Sequence, residues 1–400
     1  MKEPRPVTRV EISEKNKTLR LIAAIALLVI GAVGITIGFM GALNRESGWQ
    51  RVQITTQERS CVENFVLQYN FGESGAQAAA VNQKLQSAYG EACVKAYQLF
   101  TPDEAIGDVA NLYHINHHPN EVITVDPVLY AAFEKMDGTP YLYLGPVYTH
   151  YYSIIFNAEE SSVAQMDPVN NAEAKAYIDQ IMGFAMDKAA VRLELLGENR
   201  VKLHVSEAYL TFAAEEEIEN FLDFAYLTNA FVIDYLADSL SAAGLNDGYL
   251  ASNDGYTRNL CAGAKFSISI FDKVGDMIYP AGTMDYQAPI SMVYLRDYPF
   301  AQTDENYRQN GNHVVHLFAD PADGIYRTAK EELISYSYDL GCADVALKML
   351  PSYLGDSFTV PAGVYSVWCE EETIFYNDEA VTISNLLKDA NASYQAVLKN

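Results

Sequence analysis

Strict alternation of apolar and polar positions marks the most legible elements of this chain. Val191, Leu193 and Leu195 answer Val201, Leu203 and Val205 across a Gly197-Glu198-Asn199 turn, which predicts a β-hairpin. Residues 62–71, 121–125, 265–272 and 290–295 read as further strands, and 364–368 with 371–376 as a terminal hairpin. Helical spacing takes over elsewhere. Val81, Leu85, Ala88 and Ala92 form one stripe within a helix over 75–100. Asp126-Pro127 supplies an N-cap and a first-turn proline for a helix that buries Leu129, Phe133 and Met136 and stops at Gly138. Residues 172–186 and 231–240 are also helical, the latter with Gly244 as its C-cap. Weaker patterns suggest a short helix over 103–112, a third strand over 210–214 and a helical tail over 383–399.

The densest pattern lies between residues 303 and 350. A strand over 314–318 meets a Pro/Gly turn over 320–324, followed by a strand over 333–338 and a helix opening near Asp344. His316 falls near the end of the first strand. Asp344 falls near a helix N-terminus, where free backbone N–H groups favour anions.

Residues 21–43 form an uncharged run of 23 residues rich in Ile, Leu, Ala and Gly. As a helix it spans roughly 34 Å, enough for the hydrocarbon core of a bilayer. Six Lys/Arg and three Glu precede it, so the remaining 380 residues carry 21 basic and 49 acidic side chains, a formal −28. The basic flank puts the N-terminus in the cytoplasm. The expected order is a basic tail over 1–20, a transmembrane helix over 21–43, a linker over 44–58 and an extracytoplasmic domain over 59–400, as in a bacterial cell-surface protein. A net charge of −25 for the whole chain argues against a nucleic-acid partner. Five scattered cysteines without paired spacing are neither a disulfide framework nor a zinc site, and read as small buried hydrophobes with room for one disulfide.

His114, His117 and His118 lie close together but match no ligand spacing, and a solvated loop describes them better than a metal site. The tyrosines at 141, 143, 148, 151 and 152 would suit a stacking platform, though tyrosine is frequent throughout and packing explains them as well.

His316, Asp320, Pro321 and Gly324, then Ala343 and Asp344, resemble in order the FAD:protein FMN transferases, the ApbE-like family. Members carry a His-Ile-Ile-Asp-Pro-x-Thr-Gly segment and an Ala-Asp-Ala-x-x-Thr-Ala helix start. Weaker correspondences run from about residue 60 to 380: Val109, Leu112, Ile115 and Asn116 resemble a Ser-x-Ile-x-x-Ile-Asn segment, and Thr303, Tyr307 and Arg308 resemble Thr-Ser-Gly-x-Tyr-x-Arg. The family's Asp-x-Gly-x-x-Ala-Lys-Gly-Tyr-x-x-Asp motif has two alignments here, one from Asp223 to Asp234 and one starting at Thr211; neither keeps the lysine or the glycines. Ser252-Asn253-Asp254-Gly255 stands where a Gly-Gly loop is expected, and Lys348 where a threonine helps hold magnesium.

The resemblance implies an α+β fold: one large domain with a mixed, mainly antiparallel sheet core and outer helices, behind the N-terminal membrane helix. It implies His316 and Asp344 as catalytic residues, Asp344 as metal ligand, and Asn116, Asp234, Thr303, Tyr307 and Lys348 around FAD. An extracytoplasmic flavoprotein or redox complex would be the acceptor. Magnesium is opposed by Lys348, because an ammonium about 4 Å from a divalent ion costs roughly 8 kcal/mol at an effective dielectric of 20. Lys348 is open to three roles: pairing with Asp344 and closing the metal site, replacing the metal, or pointing away. Loss of the lysine, glycines and metal threonine together predicts weak or no transferase activity, with a non-catalytic surface binding or assembly module as the alternative.

Overall fold

The computed structural model describes residues 47–72, 75–275, 277–300, 304, 306–311, 313–388 and 392–399. The expected tail over 1–20 and membrane helix over 21–43 lie outside these residues. Among the described residues no helix is long and apolar enough to cross a membrane. The chain divides into two compact units, one of residues 50–69 and 85–400, the other of 1–49 and 70–84. Of the second unit the structure describes the start of strand Gly48–Arg51, the end of strand Phe65–Phe71 and the first turns of the helix Ala76–Phe100.

The larger unit is α+β. Its central sheet runs in order through Phe65–Phe71, Gly248–Ser252, Tyr256–Asn259, Ile290–Arg296, Glu332–Ser337, Tyr365–Glu370, Thr373–Tyr376 and Gln395–Leu398. Every pair is antiparallel except the last. Strand Glu332–Ser337 is buried at all six positions, because both faces of the sheet are covered. On one face lie the helices Thr228–Ala242 and Cys342–Tyr353. On the other lies the three-stranded sheet of Lys265–Val274, Met277–Gln287 and Thr382–Ser384, and Ile270, Met284, Met292, Ile334 and Tyr336 pack in the layer between. A third sheet joins Val122–Thr124 to the hairpin Val191–Gly197 and Arg200–Val205.

Four expectations are corrected. Residues 210–214 are part of the helix Glu207–Glu215, which Ser206 caps by accepting the Tyr209 N–H at 3.2 Å. Tyr209, Phe212 and Ala213 give that helix its buried face at helical spacing. The C-terminal segment is not helical: Thr382–Ser384 and Gln395–Leu398 join two different sheets. Residues 103–111 take no regular structure, and the helix begins one residue later, at Leu112–His117. That helix also removes the histidine cluster from a loop. Tyr113 stacks on His117 at 3.8 Å and His114 on His118 at 4.1 Å, the contact that four-residue helical spacing produces. Cys61, Cys93, Cys261 and Cys342 are buried free thiols, and Cys369 is a half-buried one.

Candidate functional site

A cavity of about 680 Å³ opens in the larger unit, walled by Tyr148, Tyr226, Tyr256, Tyr294, Tyr307 and Phe318. Its size suits a small organic ligand. The rings hold one another edge to face, Tyr226 meeting Tyr148 at 5.5 Å and Phe318 at 5.4 Å. Three phenols are satisfied within the protein. The Tyr148 oxygen accepts the Ala319 N–H at 3.1 Å, while Tyr256 donates to the Tyr226 carbonyl at 2.7 Å and Tyr307 to the Arg296 carbonyl at 3.0 Å. The buried phenols of Tyr226 and Tyr294 complete no hydrogen bond of standard geometry, although Tyr148 and Glu332 lie near them. Each unmade bond costs about 1–3 kcal/mol.

The polar side of the cavity comes from two turns. The loop after strand Gly248–Ser252 brings in Asp254, whose carboxylate accepts from Ser252 at 2.5 Å and from Asn229 at 3.0 Å. Burial pushes this carboxyl above its usual range. Gly255 makes the turn possible. Its φ is +105°, its carbonyl accepts the Tyr294 N–H at 2.9 Å, and a Cβ there would lie 2.2 Å from the Tyr294 carbonyl oxygen. Opposite, Arg296 ends strand Ile290–Arg296. Its guanidinium donates to the Tyr298 carbonyl at 2.9 Å, pairs with Asp304 at 2.7 Å and lies 4.1 Å from the Phe300 ring centre. Behind this wall Glu332 is buried, with Tyr298 donating to it and the Phe271 N–H 2.9 Å away. Burial raises its carboxyl to about 7.

The helix start that carries Asp344 is built differently. Gly341 precedes the helix Cys342–Tyr353 without capping it through a side chain. The cap comes from Asp234, on the helix Thr228–Ala242, which accepts the N–H groups of Cys342 at 2.8 Å and Ala343 at 2.9 Å. Asp234 also pairs with Arg258 at 2.5 Å. The approach is so close that a Cβ on Gly341 would stand 2.4 Å from the Asp234 carboxylate. Within the same first turn, Asp344 pairs with Lys135 at 2.6 Å. Lys348 stands exposed on the same helix. The partner of Asp344 is therefore Lys135, not Lys348 as the four-residue spacing suggested.

These positions place the expected site residues in separate surroundings. Tyr307 lines the cavity. Thr303 lies outside the described residues. Asp234 borders a smaller polar hollow of about 260 Å³ shared with Lys135, Asp238 and Arg258. Asn116 is buried and clamps Leu222, donating to its carbonyl and accepting its N–H, both at 2.9 Å. His316 is a core side chain, edge to face with Tyr326 at 5.0 Å and absent from the cavity wall. Burial lowers its pKa to about 3, so the ring is neutral. Its Nδ1 accepts the Phe318 N–H at 3.3 Å, which leaves the proton on Nε2.

Arg258, Arg296 and Lys135 went unnoticed in the sequence, since each is an isolated basic residue within an otherwise ordinary element. Their acidic partners are 24, 8 and 209 positions away.

No protein-family model and no curated protein matches the sequence. Among solved structures, the chain is similar to the flavin transferase ApbE from Vibrio cholerae, with TM-score 0.52 and 10% identity over 85% of this chain and 98% of that one. The ApbE protein from Thermotoga maritima is similar at TM-score 0.48 and 13% identity, over 85% of this chain and 97% of that one. This protein thus carries a distant form of the ApbE-like fold.

Proposed function

We propose that this protein is a binding module on an ApbE-like fold, which holds a flavin-type ring in its tyrosine-lined cavity without metal-assisted transfer. The observation that carries the loss of transfer is the ion pair between Asp344 and Lys135, 2.6 Å long. Magnesium needs hard oxygen ligands with free lone pairs. The acid that the sequence resemblance offers is already engaged by an ammonium, and among the described residues no group of three or more His, Cys, Asp or Glu suits a metal. The residues present do not fit magnesium. Neutral, buried His316 supports the same reading, because it does not reach the cavity as a base or ligand. FAD fits in part: the aromatic walls suit its ring system, while Arg296, the only cation on the wall among the described residues, is committed to Asp304.

In this reading the helix over 21–43 tethers the domain outside the cell membrane, where an extracytoplasmic flavoprotein or redox complex is its partner. The test is a titration of the full chain in detergent with FAD, with and without magnesium, followed by flavin fluorescence and by assay of released AMP. The expected result is flavin binding unchanged by chelator and no AMP. Magnesium-dependent binding with AMP release would show a working transferase instead.

A further inference from the structure

We infer that the cavity prefers a planar heterocycle carrying an uncharged, hydroxylated chain, the riboflavin class, over the phosphate esters of the same ring. The inference rests on the flavin-type reading of this cavity. It follows from the charges and amides on the wall.

A phosphate ester needs cations or free N–H donors where its oxygens come to rest. Among the described residues, the charged ones on the wall are Asp254, Asp304 and Arg296, which sum to minus one. There is no positive charge to spare, because the Arg296 guanidinium is turned to Asp304 and the Tyr298 carbonyl. A phosphate entering beside these carboxylates would meet repulsion in a partly desolvated space.

The remaining polar groups suit hydroxyls and ring carbonyls. Asn64, Asn229, Asn253 and Asn306 border the cavity; Asn229 already donates to Asp254 and Asn253 to the Glu63 carbonyl, and each amide has a further N–H and an acceptor oxygen. The hydroxyls of Tyr226 and Tyr294 are buried behind the wall beside Tyr148 and Glu332, so these two residues offer the ligand their rings. The amides meet hydroxyls and carbonyls at the edge of a planar ring, whereas the aromatic walls take its faces.

The experiment is fluorescence titration of the full chain with riboflavin, FMN and FAD at low ionic strength, repeated with Asp304→Asn. The inference expects riboflavin to bind at least about tenfold more tightly than either phosphate ester. Asp304→Asn releases the guanidinium, so the affinity for FMN relative to riboflavin should rise about tenfold. FMN or FAD binding as tightly as riboflavin in the unaltered protein would overturn the charge selection but leave the flavin reading standing. An equal change for riboflavin and FMN in Asp304→Asn would also overturn it. Binding of none of the three up to millimolar concentration would overturn both. Circular dichroism of the variant separates a lost fold from a lost preference, and Asp254→Asn, which removes a carboxylate without touching Arg296, should favour FMN in the same direction.

Discussion

The cavity and the helix start at Cys342–Tyr353 lie in the same unit but treat their polar groups in opposite ways. At the helix start the protein answers its own charges: Asp234 takes the free N–H groups and Arg258, while Lys135 takes Asp344. In the cavity two buried phenols are left without a standard partner. A site that binds a visitor has to leave some interactions unmade, at a cost in stability. A helix terminus that has satisfied everything internally gains stability and gives up its capacity for anions or metal. In the reading proposed above, the contrast is that between a pocket kept for a ligand and a helix start closed to metal.

The largest expected effect would come from opening the closed region. Asp234→Ala leaves Arg258 without its close partner and removes the acceptor for two helix N–H groups, and should cost about 3–5 kcal/mol in denaturant unfolding. Gly341→Ala should be severe for a different reason, since the new methyl group collides with the Asp234 carboxylate. A loss below about 1 kcal/mol in either variant would mean that the cap is loose.

A second test uses pH. The Glu332 carboxyl is raised from 4.5 to about 7, so the folded state binds the extra proton and stability falls as pH rises from about 4.5 through 7. At about 1.4 kcal/mol per unit this amounts to about 3 kcal/mol. Asp223 and Asp297, raised by burial to about 6, act in the same direction. His316 opposes them. Its pKa falls from 6.5 to about 3, so its contribution is lost as pH drops from 6.5 toward 3. Glu332→Gln should therefore flatten the decline between about pH 4.5 and 7 while retaining the His316 contribution that is lost toward acid, which thermal melts across pH 4–8 would show.

The cavity itself should respond more mildly. Tyr226→Phe or Tyr294→Phe removes a poorly satisfied buried phenol, so the free protein should gain up to about 1 kcal/mol while flavin affinity changes by less than about threefold. A tenfold loss of affinity in either variant would show that its hydroxyl reaches the ligand. The smallest effect belongs to Lys135→Ala. Its pair with Asp344 is partly exposed and should contribute less than about 1 kcal/mol. Flavin binding by this variant should remain independent of magnesium, because a single freed carboxylate does not make a metal site.

Much of the framework is legible from sequence because its signals are local. The Gly197-Glu198-Asn199 hairpin, the Asp126-Pro127 helix start, where Asp126 accepts the Val128 N–H at 2.9 Å, and the αL glycine at Gly244 each need only a few neighbouring residues. The helix Glu207–Glu215 was missed because Leu210, Phe212 and Ala214 mimic strand alternation, whereas the decisive signal was the Ser206 cap. The tail was missed because each of its short strands pairs with an element more than 20 or nearly 100 residues earlier. The site was legible only in outline. Tyr307 and the Asp254-Gly255 turn could be picked out, but no spacing rule reveals that Lys135 reaches Asp344 or that Asp234 caps a helix 108 residues away.

The Asn116 clamp carries a consequence for how the chain assembles. Its side chain offers Leu222 the same donor and acceptor pair as a neighbouring peptide, but the two residues are 106 positions apart. Closing so long a loop is entropically costly until the intervening hairpin and helices have condensed. The clamp therefore belongs to the late, native side of the folding barrier. Asn116→Ala should leave the refolding rate nearly unchanged and accelerate unfolding, so that this amide acts as a kinetic lock on the finished structure.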